Sequence, residues 1–107
     1  DMLRGLSPNE TKKNLESIIQ ITKQKNIDVI LAGMIAPTTH GQSYKKIFDI
    51  IYVNLAKQYA LDLIPFLLEG VALKPEFNQD DGIHPNEKGI LIIRDTLYKS
   101  IVKKINN

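Results

Sequence analysis

Asp81 and His84 are the two residues of this sequence whose types and spacing most suggest chemistry. They lie three residues apart in the stretch Asp81-Gly82-Ile83-His84-Pro85-Asn86, beside a predicted helix start. A turn here can bring the carboxylate to the imidazole Nδ1–H, which would select one tautomer and leave Nε2 to take a proton. The pair would then be a general base with its orienting carboxylate, two of the three members of a hydrolytic triad.

The same stretch has a purely structural interpretation. Asp-Gly can form a turn, and His84 can precede or cap the following helix. Spacing alone favours this interpretation, because Asp-x-x-His is a short pattern that arises often by chance. A metal site of Asp80, Asp81 and His84 is weaker still, because no further His or Glu stands at helical spacing beside them. We expect no metal and no other cofactor.

No residue stands out as the nucleophile. The chain has no Cys, so thiolate chemistry is excluded. Each serine lies in a predicted helix or at a predicted helix start, and none has a Gly-x-Ser-x-Gly context. These serines are Ser7, Ser17, Ser43 and Ser100.

Composition limits the fold and the partners. With 107 residues, of which 43% are apolar, the chain is expected to be a single domain over 1–107. The net charge of +2 is small and its basic residues are scattered, so nucleic acid is not an expected partner. No apolar run approaches the roughly 20 residues of a membrane span, so stable membrane insertion is not expected.

Hydrophobic periodicity predicts an α/β fold in the order α-β-α-β-loop-α. Ser7 and Glu10 are predicted to form a capping box on the first helix, and Pro85 to occupy the first position of the last. The strand over 27–34 is apolar on both faces, which predicts a parallel sheet with helices on either side. The predicted helices cover 8–25, 43–59 and 86–104, the strands 27–34 and 61–66, and a long loop 67–80.

Two strands are too few to cover their own edges. We therefore expect further strands from chain outside these residues or from another subunit. The residues after the first strand, at its carboxyl end, are where open α/β sheets bind ligands. They include His40, which we expect to be solvated or to face a substrate.

Several blocks together resemble the SGNH (GDSL) hydrolases, particularly their bacterial arylesterase and thioesterase/lysophospholipase group. Asp80–Asn86, preceded by Leu73-Lys74-Pro75, resembles the final block of that family. Gly33–Gly41 is similar to the loop Gly-Met-x-Ala-Pro-x-Asn-x-Gly, with Thr39 in place of the Asn. Asp1–Leu6 resembles the residues that follow the third block, so the resemblance covers essentially the whole chain.

The resemblance implies a three-layer α/β/α, flavodoxin-like fold, of which this chain is the C-terminal part with about two parallel strands and three helices. It implies that His84 is the catalytic base, that Asp81 orients it, and that the substrate is a small carboxylic ester or thioester. The compartment stays unknown, with the bacterial periplasm or secretion suggested by the resemblance alone. The residues that would border the acyl pocket are Pro37, Thr38, Thr39, His40 and Gly41.

The family's Gly-Asp-Ser block is absent, as are the Gly of its second block and the Asn of its third. We therefore expect this chain to be the C-terminal portion of an SGNH hydrolase domain, inactive by itself. It would need the N-terminal half of the fold, or another chain that supplies it. The alternative hypothesis is a non-catalytic remnant or binding module in which Asp81 and His84 form a structural pair.

Overall fold

The structure, a computed structural model, describes residues 5–106. The part of the resemblance that rests on residues 1–4 lies outside this range. Within it, helices and strands follow the predicted α/β order, and two short 3-10 helices occupy Thr38–His40 and Pro75–Phe77. The main elements are α1 (Pro8–Gln24), β1 (Ile30–Ala32), α2 (Gln42–Tyr59), β2 (Asp62–Ile64) and α3 (Glu87–Ile105). The predicted α/β class with two parallel strands and three helices is confirmed.

The chain divides into two compact units, the first ending at Pro65 and the second beginning at Phe66. In the first unit, β1 pairs in parallel with β2, with Leu31 opposite Leu63, and α2 is the crossover between them. The core of this unit comprises Ile19, Leu31, Ala36, Phe48, Ile51, Leu55 and Ala56. The single domain over 1–107 stays a prediction.

Both strands are shorter and less buried than predicted. In β1, Leu31 is buried, whereas Ile30 and Ala32 are only partly covered. In β2, Ile64 is the buried residue. Among residues 5–106 each strand has one neighbouring strand, and the burial of only one residue in each shows that neither is enclosed on both faces as the apolar run suggested.

The helix starts differ from the predictions at two places. The predicted capping box is wrong, because the Ser7 side chain makes no cap hydrogen bond. The Ser7 carbonyl accepts the N–H groups of Glu10 and Thr11, at 3.1 and 3.2 Å, which are the ordinary first backbone bonds of a helix. The last helix begins after Asn86, its N-cap; Pro85 is not its first residue, because it pairs with Asn78 in an antiparallel bridge.

The second unit consists of turns, the 3-10 helix Pro75–Phe77 and α3. The long loop predicted over 67–80 is mostly irregular. Val71 is fully buried in this unit, and Gly89 in the first turn of α3 lies against Phe77, Pro85 and Val71. Through this packing the start of α3 contacts the 3-10 helix Pro75–Phe77. The Asp81–His84 turn lies between these two elements in the sequence.

Candidate active site

The Asp81–His84 turn is organised by hydrogen bonds between near neighbours. Asp81 Oδ1 accepts the backbone N–H groups of Ile83 and His84, both at 3.0 Å. Gly82 adopts a positive φ of 73°, which a residue without Cβ tolerates well, and its N–H donates to the Gln79 carbonyl at 2.9 Å. The turn therefore brings the Asp81 side chain back towards the residue three positions later.

The second carboxylate oxygen of Asp81 meets the imidazole. Asp81 Oδ2 lies 2.5 Å from His84 Nδ1, and because an ionised carboxylate only accepts hydrogen bonds, Nδ1 carries the proton. The predicted contact between the carboxylate and the ring is therefore present. In the neutral ring the proton on Nδ1 leaves Nε2 as the basic nitrogen, which is the tautomer that a general base requires.

The electrostatics of the pair match its geometry. The pKa of Asp81 is lowered to about 2, chiefly by the hydrogen bond from His84 and then by the N–H groups of Ile83 and His84. Asp81 is consequently ionised at neutral pH. The side chains of His84 and Asp81 are 66% and 43% exposed, so the pair lies at the surface of the second unit.

Backbone hydrogen bonds join the segments on either side of the turn. The Gln79 N–H donates to the His84 carbonyl at 2.7 Å, and the Asn86 N–H donates to the Phe77 carbonyl at 3.0 Å. The Gln79 side chain adds a bond to the Pro85 carbonyl at 3.3 Å. His84 therefore lies in a short antiparallel arm, residues 77–86, whose two ends are joined by these hydrogen bonds.

The five predicted pocket residues lie together in the first unit, between β1 and α2. Thr38–His40 form a single 3-10 turn that ends at Gly41, where φ is 91°. Thr38, Thr39 and His40 are exposed, and Pro37 is half-buried. The His40 ring packs at 5.3 Å from the ring of Tyr44, so this histidine is anchored at the start of α2.

Sequence reasoning missed the residues that hold this loop at its base. Asp49 Oδ1 accepts the Ala36 N–H at 2.7 Å, and Lys45 Nζ donates to the Ala36 carbonyl at 3.0 Å. The Lys45–Asp49 spacing of four residues on a helix is typical of an ion pair, which was not among the predictions. The spacing gives no sign that the pair also binds the preceding loop.

The metal hypothesis finds no support in the geometry. In the described range, no group of three or more His, Cys, Asp or Glu side chains could hold a metal ion. Asp81 and His84 meet each other, but Asp80 does not complete a set of ligands with them. No helix of residues 5–106 is long and apolar enough to cross a membrane.

The structure is that of an α/β protein in which Asp81 and His84 form a hydrogen-bonded carboxylate–imidazole pair. No model of a known protein family matches the chain. It is 38% identical over 107 residues to "Thioesterase 1/protease 1/lysophospholipase L1" of Escherichia coli K12, covering 100% of this chain and 51% of that protein. The chain therefore spans about half the length of the curated relatives it matches.

Solved structures agree with this similarity. The esterase AlinE4, described as an SGNH-hydrolase family esterase, superposes with a TM-score of 0.73 at 38% identity, over 97% of this chain and 55% of that one. The psychrotrophic esterase EstA from Pseudoalteromonas sp. superposes with a TM-score of 0.90 at 30% identity, over 98% and 57%. The chain is similar over nearly its whole length to esterases of the SGNH-hydrolase family and corresponds to the C-terminal part of these relatives.

Proposed function

We propose that these residues supply the base and the orienting carboxylate of an SGNH serine hydrolase that cleaves small carboxylic esters or thioesters. The observation that carries the proposal is the 2.5 Å contact between Asp81 Oδ2 and His84 Nδ1. The names of the relatives support the substrate class, since they include a thioesterase/lysophospholipase and an esterase described as inhibited by monoethylphosphonate.

The exposure of the pair argues against a purely structural role. An ion pair or hydrogen bond between exposed groups contributes little to stability, because water solvates both partners well. The Asp81 carboxylate nevertheless accepts three hydrogen bonds, two from His84 and one from the Ile83 N–H. That arrangement holds one imidazole in one tautomer, which a base needs and a cap does not.

The reaction proceeds in two halves. A serine outside these residues attacks the carbonyl carbon while His84 Nε2 takes the hydroxyl proton. When the tetrahedral intermediate collapses, the imidazolium returns that proton to the leaving alcohol or thiol. Water then attacks the acyl-serine with His84 again taking and returning one proton, and Asp81 stabilises the imidazolium in both halves.

The nucleophile and the oxyanion donors of the proposed site lie outside these residues. The serine and the oxyanion donors come from the N-terminal half of the fold or from another chain that supplies it, because the Gly-Asp-Ser block is absent here. The E. coli relative is long enough to contain such an N-terminal half, because this chain matches only 51% of its length.

The test is hydrolysis of p-nitrophenyl acetate by three samples: the 107-residue chain, that chain mixed with the N-terminal half, and the intact protein. We expect no turnover above background from the chain alone, and turnover from the intact protein. His84→Ala should lower kcat of the intact protein by several orders of magnitude. Asp80→Asn, which removes the neighbouring exposed carboxylate, is the matched control and should keep wild-type kcat.

Two results would contradict the proposal. Turnover by the 107-residue chain that His84→Ala abolishes would show that a nucleophile lies within these residues. An intact protein whose ester hydrolysis is unchanged by His84→Ala would assign the Asp81–His84 pair a structural role.

A further inference from the structure

The Asn86 side chain, two residues after His84, makes hydrogen bonds in two directions. Its Oδ1 accepts the Gly89 N–H at 3.0 Å, which is the N-cap bond of α3. Its Nδ2 donates to the carbonyls of Glu76 and Asn78, at 3.0 and 3.2 Å. One half-buried amide thus bonds to the helix after His84 and to the chain before Asp81.

The two Nδ2 bonds have no part in capping the helix. An N-cap needs only the side-chain oxygen, which Ser, Thr or Asp would supply equally well. The Nδ2 group instead reaches carbonyls eight and ten residues upstream. It therefore ties together the two ends of the arm that carries His84.

We propose that Asn86 is a positioning residue for His84, through these two Nδ2 bonds, which we call the Asn86 latch. The inference rests on the proposed function, in which His84 is the base. The arm between the latch and the imidazole contains Gly82 and no buried side chain, so the core does not hold it. The bond from the Gln79 N–H to the His84 carbonyl lies next to the latch and carries its constraint to His84.

Asn86→Ser separates the latch from the cap. Serine keeps a side-chain oxygen for the Gly89 N–H, but it has no second donor to reach the two upstream carbonyls. Asn86→Asp makes the same separation with a stronger acceptor at the helix start. The matched control is Asn106→Ser, at the exposed far end of α3.

The first measurement is steady-state ester hydrolysis by the intact protein. The latch predicts that Asn86→Ser and Asn86→Asp lower kcat about tenfold to a hundredfold, since small displacements of a catalytic group have effects of this size. KM should stay unchanged, and Asn106→Ser should behave as wild type. Wild-type kcat in both Asn86 variants would overturn the proposal.

The second measurement needs no substrate. In proton NMR spectra of the intact protein, the His84 Nδ1–H should exchange with water faster in Asn86→Ser than in wild type, and the Gln79 amide should lose about tenfold protection. Unchanged exchange at both sites would overturn the Asn86 latch, whether or not the protein hydrolyses esters. Faster exchange in a protein without esterase activity would support the latch and contradict the proposed function.

Discussion

Lys45 and Asp49 form an ion pair on α2, with Nζ 2.6 Å from Oδ2, and together they bind both polar backbone groups of Ala36. Asp49 accepts the Ala36 N–H and Lys45 donates to its carbonyl. Ala36 is 2% exposed, so water cannot replace these partners without local opening. Both polar backbone groups of the residue immediately before the Pro37–Gly41 loop therefore have side-chain partners on α2.

Removal of the acceptor should loosen this loop. Asp49→Ala leaves the buried Ala36 N–H without a partner, which is expected to lower the free energy of unfolding by about 1–3 kcal/mol. Asp49→Asn keeps an oxygen for that N–H and should lose less. Urea denaturation measures the free energy, and hydrogen exchange measures the Ala36 amide. Lys46→Ala, at the exposed neighbouring position, is the control; equal Ala36 exchange in wild type and Asp49→Ala would contradict this account.

Asp81 should make stability depend on pH in the acid range. Its folded pKa of about 2 lies below the ordinary value of 3.8, so the folded state binds this proton less readily than the unfolded state. The stabilising contribution is complete above about pH 4 and is lost as pH falls through 2. Urea denaturation at several pH values should show the difference between wild type and Asp81→Asn shrinking over this interval. A difference that stays constant, or the same change in Asp80→Asn, would argue against the assignment.

Gly89 should not tolerate alanine, although it lies in a helix. Gly to Ala within a helix usually stabilises by about 0.5–1 kcal/mol. Here an added Cβ would collide with the Phe77 carbonyl and lie 3.2 Å from both Pro85 Cβ and Val71 Cγ1. That carbonyl cannot move freely, because it accepts the Asn86 N–H.

We therefore expect Gly89→Ala to lower the free energy of unfolding by about 1–3 kcal/mol, the usual cost of overpacking. Chemical denaturation measures it, with the exposed neighbour Lys88→Ala as control. Stabilisation by Gly89→Ala would show that α3 does not pack on the 3-10 helix as described.

Leu55 should be the most sensitive apolar position of α2. Its side chain is 0% exposed, so Leu55→Ala is expected to cost about 2–5 kcal/mol of unfolding free energy. Ile47 is also an apolar residue of α2 but is 52% exposed. Ile47→Ala should therefore cost much less, and equal losses in thermal or chemical denaturation would contradict this difference in burial.

Local sequence predicted the features whose partners lie close together in the chain. The α1 and α2 boundaries agree with the predictions to within one residue, because the spacing of apolar residues is itself a helical signal. The Asp81–His84 contact was foreseen for a similar reason, since its bonds join residues two and three positions apart. The catalytic roles of this pair stay predictions.

Features that depend on distant segments could not be read in advance. The predicted capping box is a separate error of prediction, because it needed only local geometry, yet the Ser7 side chain makes no cap hydrogen bond. The two hydrogen bonds to Ala36 join residues that lie 9 and 13 positions apart. The local sequence pattern does not indicate which loop an ion pair on a helix will contact.

The sequence by itself determined the helices, the order of elements and the turn that joins Asp81 to His84, because residue spacing and short-range hydrogen bonds suffice for these. Only the tertiary structure decided how far the strands extend, what Lys45 and Asp49 hold, and that Asn86 joins both ends of the arm that carries His84. Those outcomes depend on which backbone carbonyls and N–H groups approach one another after the chain has packed, since each buried polar group must then find a partner.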